Sequence, residues 1–172
     1  MIRSTMIFLG TYLMLFITTG AGLGAQSFEL PENWADQEKD YAEYEGYVLE
    51  GIDWILTTPL EQEPEHRKRV NTFLMEWMTN SPDLTLVLEL DILRFIQDSD
   101  ELLMIFMGGY TRYALNAGED HTLIDANTAG IETVIEFYNL NREELGQIDS
   151  IEKYIKLQRE GNLRDHIQSV IN

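Results

Sequence analysis

Cysteine is missing from all 172 residues, and basic side chains are scarce, 12 against 30 acidic ones. Without a thiol the chain has no cysteine nucleophile, no thiolate metal site, no disulfide and no lipid-modified cysteine anchor. A formal charge of −18 excludes nucleic acid as a partner, because neutralising phosphates needs a basic stripe. The same charge argues against an anionic membrane surface. Also missing are a Gly-x-Ser-x-Gly elbow, a glycine-rich phosphate loop and a dinucleotide fingerprint. No segment recurs at the period of roughly 20 to 50 residues that marks a solenoid. What the chain does hold is 44% apolar and 10% aromatic residues, enough to bury a core and too much for a solvated acidic tail.

Long apolar runs are also scarce, and the longest lies at the start. Arg3 is followed by the uncharged, almost wholly apolar Met6 to Ile17, then by small residues from Thr18 to Ala25. That order of basic, apolar and small segments predicts a signal peptide over 1–25, cleaved after Ala25, with a cut after Gly24 as the neighbouring option. The alternative is an uncleaved anchor, since Met6 to Ala25 is about long enough to span ~30 Å of hydrocarbon. Gly20, Gly22 and Gly24 favour cleavage. Cleavage would remove one base, Arg3, and no acid, leaving about 147 residues, one domain's worth. Residues 26–40 then read as a leader and 41–172 as a single helical domain. The expected location is periplasmic or secreted, with no membrane contact beyond the signal segment.

Along the remaining chain apolar residues recur with the helical period. Tyr41, Tyr44, Val48, Ile52 and Ile55 form one stripe, which Thr57-Thr58-Pro59 stops because proline pushes the residue before it out of the helical region. Pro64, among Glu61, Glu63 and Glu65, opens a second helix whose buried face is Val70, Phe73, Leu74, Trp77 and Met78. Leu84, Leu86, Leu88 and Leu90 then alternate with Thr85, Val87 and Glu89. This stretch is either an extended connector lying across helices or an open strand edge able to pair with another chain. Asp98 to Glu101 supplies a cap to the most apolar helix, Leu102 to Met107 followed by Gly108-Gly109. Each of those glycines costs about 1 kcal/mol of helix propensity relative to alanine, which a closely packed neighbouring backbone would explain. Ile124, Ile131, Ile135 and Tyr138 face inward on the next helix. Asp149-Ser150 caps Ile151 to Glu160, and a short helix runs through Ile167, Val170 and Ile171. The expected fold is all-α, an irregular bundle of about five main helices with one or two short ones and one extended connector.

Few residues suggest chemistry. Glu119, Asp120, His121 and Asp125 cluster, and His121 and Asp125 are four apart, so on one helix face they could bind a metal or pass a proton. The competing reading is an acid-rich helix start after Gly118. Asp98, Asp100 and Glu101 resemble part of a calcium loop but lack its turn glycine and distal glutamate, and capping is the better account. His66-Arg67-Lys68-Arg69 is the one basic knot, expected either to pair with Glu61, Glu63, Glu65 or Glu76 or to mark a docking surface. Tyr41, Tyr44, Trp54, Trp77, Tyr110 and Tyr113 could line a peptide or sugar groove, yet each falls on or beside a core stripe. His166 belongs to no motif. The binding candidates are therefore Arg67, Lys68, Arg69, Tyr110 and Tyr113, and the metal candidates His121 and Asp125. No cofactor is expected.

The stretch from Glu101 to Leu115, with Phe73-Leu-Met-Glu-Trp77 and Ser81-Pro82 before it, resembles a group of small exported helical proteins from Gram-negative bacteria that carry no assigned activity. In that group an equivalent of Met107-Gly108-Gly109 with a following aromatic recurs. The likeness covers roughly residues 44 to 171, and it implies a helical fold and export without assigning any catalytic or binding residue. Two functional expectations result. The first is non-catalytic binding of another envelope or secreted protein, or a structural role in the envelope, through the acidic face or the Leu84 to Leu90 edge. The second is a periplasmic hydrolase using Glu119, His121 and Asp125.

Overall fold

A computed structural model describes residues 27–34, 40–118 and 121–171; the expected signal segment over 1–25, Glu119 and Asp120 lie outside them. The described residues hold seven α-helices and no strand. A 3-10 turn over Tyr41–Tyr44 leads into α1, Glu45–Thr57, and α2 is Pro64–Asn80. A second 3-10 turn, Arg94–Gln97, precedes α3, Glu101–Ala117, and α4, Leu123–Leu140. A single turn, α5 (Arg142–Leu145), is followed by α6 (Asp149–Arg159) and α7 (Leu163–Ile171). The irregular all-α bundle expected from the periodicity is the observed architecture. Among the described residues no helix is long and apolar enough to cross a membrane.

The helical stripes are the buried faces. Val48, Ile52 and Ile55 of α1 are buried, as are Val70, Phe73, Leu74, Trp77 and Met78 of α2. Tyr41 and Tyr44 are only half-buried, packed against that core. Phe28, before the first helix, is buried too, its ring against Gly51 and Phe73.

At the centre is α3, apolar on two faces and packed against α1, α2 and α4. Its paired glycines are where the neighbours come closest. A Cβ on Gly108 would stand 3.3 Å from Ile52 of α1, and one on Gly109 would stand 2.3 Å from Thr133 Oγ1 and 3.1 Å from the Ala129 carbonyl of α4. Helix α4 answers with Gly130, whose Cβ would meet Phe106 of α3 at 2.7 Å. The two helices thus cross with a glycine on each side, and the propensity given up is returned as close packing.

Two caps form differently from expectation. Asp100 flanks α3 without any hydrogen bond from its side chain to the helix, because its backbone is already helical (φ −64°, ψ −29°) where a capping residue is extended. Helix α6 is flanked by Ile148, with Asp149 already its first residue; the Ile148 N–H donates to the buried Tyr138 hydroxyl at 3.2 Å instead. Helix α2 begins at Pro64 as expected, and α4 has a side-chain cap, Thr122 Oγ1 accepting the Asp125 N–H at 3.1 Å.

The Leu84 to Leu90 stretch is a connector without regular structure. Leu84 is buried and Leu86 partly so, while Leu88 and Leu90 are exposed. The wholly buried Tyr110 of α3 pins it, donating its hydroxyl to the Thr85 carbonyl at 3.0 Å.

Candidate functional site

The basic knot is divided by the helix that carries it. Successive residues of a helix point about 100° apart, so a run of four bases cannot share one face. Arg67 turns inward and is only 5% exposed, whereas Lys68 and Arg69 are exposed. His66 lies against the Trp54 ring and its Nε2 is 2.8 Å from the Phe28 carbonyl. Arg67 pairs with none of the expected glutamates Glu61, Glu63, Glu65 or Glu76. Its partner is Glu101, at 2.8 Å from Nη1.

This contact joins two helix ends of opposite polarity. Arg67 donates to the carbonyls of Ile55, Thr58 and Pro59 at and just beyond the C-terminus of α1, where a cation is favoured. Glu101 is the first residue of α3, where a carboxylate is favoured. The guanidinium also sits over the Trp54 ring, 5.5 Å from its centroid. Asn71, one turn along α2, donates from Nδ2 to the other Glu101 oxygen at 3.2 Å. Arg67 Nε and Asn71 Oδ1 remain buried without a protein partner. The start of α2 is set by Glu63 in the left-handed region, φ +52°, directly before Pro64; its carbonyl accepts the Arg67 N–H at 2.8 Å.

Over this cluster runs a cleft of about 730 Å³, between the outer side of α2 and the start of α3. Leu60, Pro64, Met75 and Met104 supply apolar walls, and Lys68, Thr72 and Thr79 stand on its rim. A cleft of this size, mostly apolar with a few fixed polar groups, is the usual form of a binding site. Sequence patterning offered Arg67 and Lys68 but not the cleft. Its residues are those that fall between the core stripe and the solvent face of α2, which no apolar period picks out.

The chemical cluster around His121 is not assembled among the described residues. Helix α4 starts at Leu123 behind the Thr122 cap, which leaves His121 outside it, Nδ1 at 2.6 Å from the Gly118 carbonyl. Asp125 instead accepts from Thr122 Oγ1 at 2.7 Å and from Arg164 Nε of α7 at 2.7 Å. Those hydrogen bonds, Arg164's first, hold its carboxyl below the usual range. No group of three or more acidic or histidine residues able to hold a metal occurs among the described residues. Glu119 lies outside them.

A second cleft, about 590 Å³, gathers Asp91, Arg94, Asp149, Ser150, Lys153, Tyr154 and His166. Sequence reasoning missed it because its walls come from the connector, α6 and α7, with no shared motif. Burial and the nearby Lys153 charge lower the His166 pKa. Burial pushes the Tyr154 hydroxyl up to about 12, and it donates to the Ile92 carbonyl at 2.9 Å. Ser150 Oγ is buried with no hydrogen-bond partner. Activating a serine requires a base within hydrogen-bond reach, and His166 makes no such contact.

The aromatic residues do not form a groove. Trp54, Trp77 and Tyr110 are buried, and Trp77 Nε1 donates to the Tyr41 carbonyl at 2.8 Å. Tyr113 is half-buried beside a smaller cleft of about 250 Å³ next to Gly109 and Thr133. No family model, curated protein or solved structure matches the chain.

Proposed function

We propose that this chain is an exported, non-catalytic protein of the cell envelope that binds an amphipathic segment of another envelope or secreted protein in the cleft along α2. The observation that carries the reading is the cleft itself, whose apolar walls are Leu60, Pro64, Met75 and Met104. Behind them Arg67 and Glu101 are held by each other and by the carbonyls at the end of α1, so the pair offers shape rather than reactive chemistry. Methionine suits such a surface because its flexible side chain adapts to the partner. Export rests on the order of segments over residues 1–25 and on the resemblance to exported Gram-negative proteins; N-terminal sequencing of the mature form tests it. The hydrolase reading has less support, since His121 and Asp125 turn to separate partners.

The test is crosslinking capture from envelope extract with wild type, Thr72→Arg and Thr79→Arg. Both threonines are exposed on the cleft rim, so the melting temperature should not move. Wild type should recover one reproducible partner that both variants lose. No reproducible partner, or undiminished capture by both variants, would sink the proposal.

A further inference from the structure

The connector between α2 and the Arg94–Gln97 turn reads Leu84-Thr-Leu-Val-Leu-Glu-Leu90. In polarity this sequence is the same in both directions about Val87. We propose that this segment pairs antiparallel with the same segment of a second copy of the chain, on a two-fold axis through Val87. The inference rests on the connector alone and not on the α2 cleft.

One edge of the segment is already occupied. The Tyr110 hydroxyl donates to the Thr85 carbonyl, and the Val87 backbone N–H faces the Tyr110 hydroxyl oxygen. In extended backbone the groups of residues i and i+2 share an edge, while those of i+1 point the other way. Tyr110 therefore covers the edge of residues 85 and 87 and leaves the edge of 84, 86 and 88 open. The N–H and C=O groups of Leu86 and Leu88 have no hydrogen-bond partner among the described residues, and Leu84 closes the turn over Pro82 and Asp83.

Pairing about Val87 sets Leu86 opposite the other copy's Leu88 and Thr85 opposite its Glu89, and brings the turn that begins at Leu90 beside the other copy's Leu84. Leu84 and Leu86 pack on the core, whereas Leu88 and Leu90 are 41% and 76% exposed. The exposed half of each segment thus gains the anchored half of the other as its apolar neighbour. Charge fits as well: Glu89 meets a threonine hydroxyl, and the two Glu89 side chains are four positions apart. At about 3.4 Å per residue that is ~13 Å, more than the Debye length of ~8 Å in physiological salt. The ladder ends at Glu89, whose carbonyl accepts the Ile92 and Leu93 N–H groups as the chain turns, and Asp91 beyond it is held by Arg94 at 2.7 Å.

Because the chain has no cysteine, the register can be read with single cysteines. With the open edge in use, Val87 faces itself as a non-hydrogen-bonded pair, Cα atoms about 4.5 Å apart, within disulfide reach. Leu90 lies six positions from its own copy, about 20 Å. The purified protein should be a dimer by light scattering. Under mild oxidation Val87→Cys should crosslink at least about tenfold faster than Leu90→Cys. Leu88→Pro, at an exposed position, should give a monomer with unchanged helical content, having lost a ladder donor. A monomeric wild type, or equal crosslinking of the two cysteine variants, overturns the proposal. So does a monomeric wild type that pairs another protein on this edge.

Discussion

Helix α3 is held at its middle and at its start by opposite means. In the middle, Gly109 and Gly130 let α3 and α4 approach until no added methyl group fits. At the start, Glu101 is tied to a buried arginine that also takes three carbonyls from the end of α1. The first contact is shape, and any bulk breaks it. The second is charge and directed donors, and only a planar guanidinium completes it. A fold fixed at both places gains a unique position for α3, and with it the cleft above Glu101.

The largest effect should come from breaking the charged end. Arg67→Ala strands Glu101 and three carbonyls, so denaturant unfolding should show a loss of about 3–5 kcal/mol. A loss below about 1 kcal/mol would mean that water replaces the guanidinium at no cost. Next comes the glycine crossing. Gly109→Ala should destabilise by about 1–3 kcal/mol despite alanine's better helix propensity. Thr133→Ala should not rescue it, because the Thr133 Cβ is itself 2.6 Å from the new methyl group. Gly46→Ala sharpens the contrast: this exposed glycine of α1 has nothing within 4 Å of an added Cβ, so stability should rise by about 0.5 kcal/mol.

The smallest effects belong to pH. The lowered Asp125 carboxyl, bound by Arg164, contributes stability above its ordinary pKa of 3.8 that is lost as pH falls through its lower folded value. Arg164→Ala should return that pKa towards the ordinary range in an NMR titration. His166 is also lowered, so its neutral form is favoured by folding. Stability should fall as pH drops through and below 6.5, and His166→Gln should flatten that part of the curve. A curve unchanged by the substitution would remove His166 as its cause.

The middle and the start of α3 also differ in how far the sequence reveals them. The glycine crossing was legible: an apolar run interrupted by Gly108-Gly109 has few explanations other than a close neighbour, although nothing local pointed to Thr133 or Gly130. The helical stripes were legible for the same reason, since burial imposes a period. The Arg67 clamp was not. A base among Lys68, Arg69 and three nearby glutamates has the pattern of a solvated face, and its partner lies 34 positions away. Caps misled in the same manner. Asp98 to Glu101 has the composition of a helix start, but Glu101 is drawn to Arg67 and Asp100 makes no cap. The clefts were hidden because their walls come from separate segments and lie beside the apolar stripes rather than on them.

The division of the basic knot between fold and surface is tested most directly by unfolding Arg67→Lys and Lys68→Ala side by side in denaturant. Lysine keeps the charge but cannot span Glu101 and the carbonyls at the end of α1, so Arg67→Lys should lose about 2 kcal/mol, whereas Lys68→Ala, at an exposed position, should stay within about 0.5 kcal/mol of wild type. Equal losses, or a larger loss for Lys68→Ala, would contradict the account.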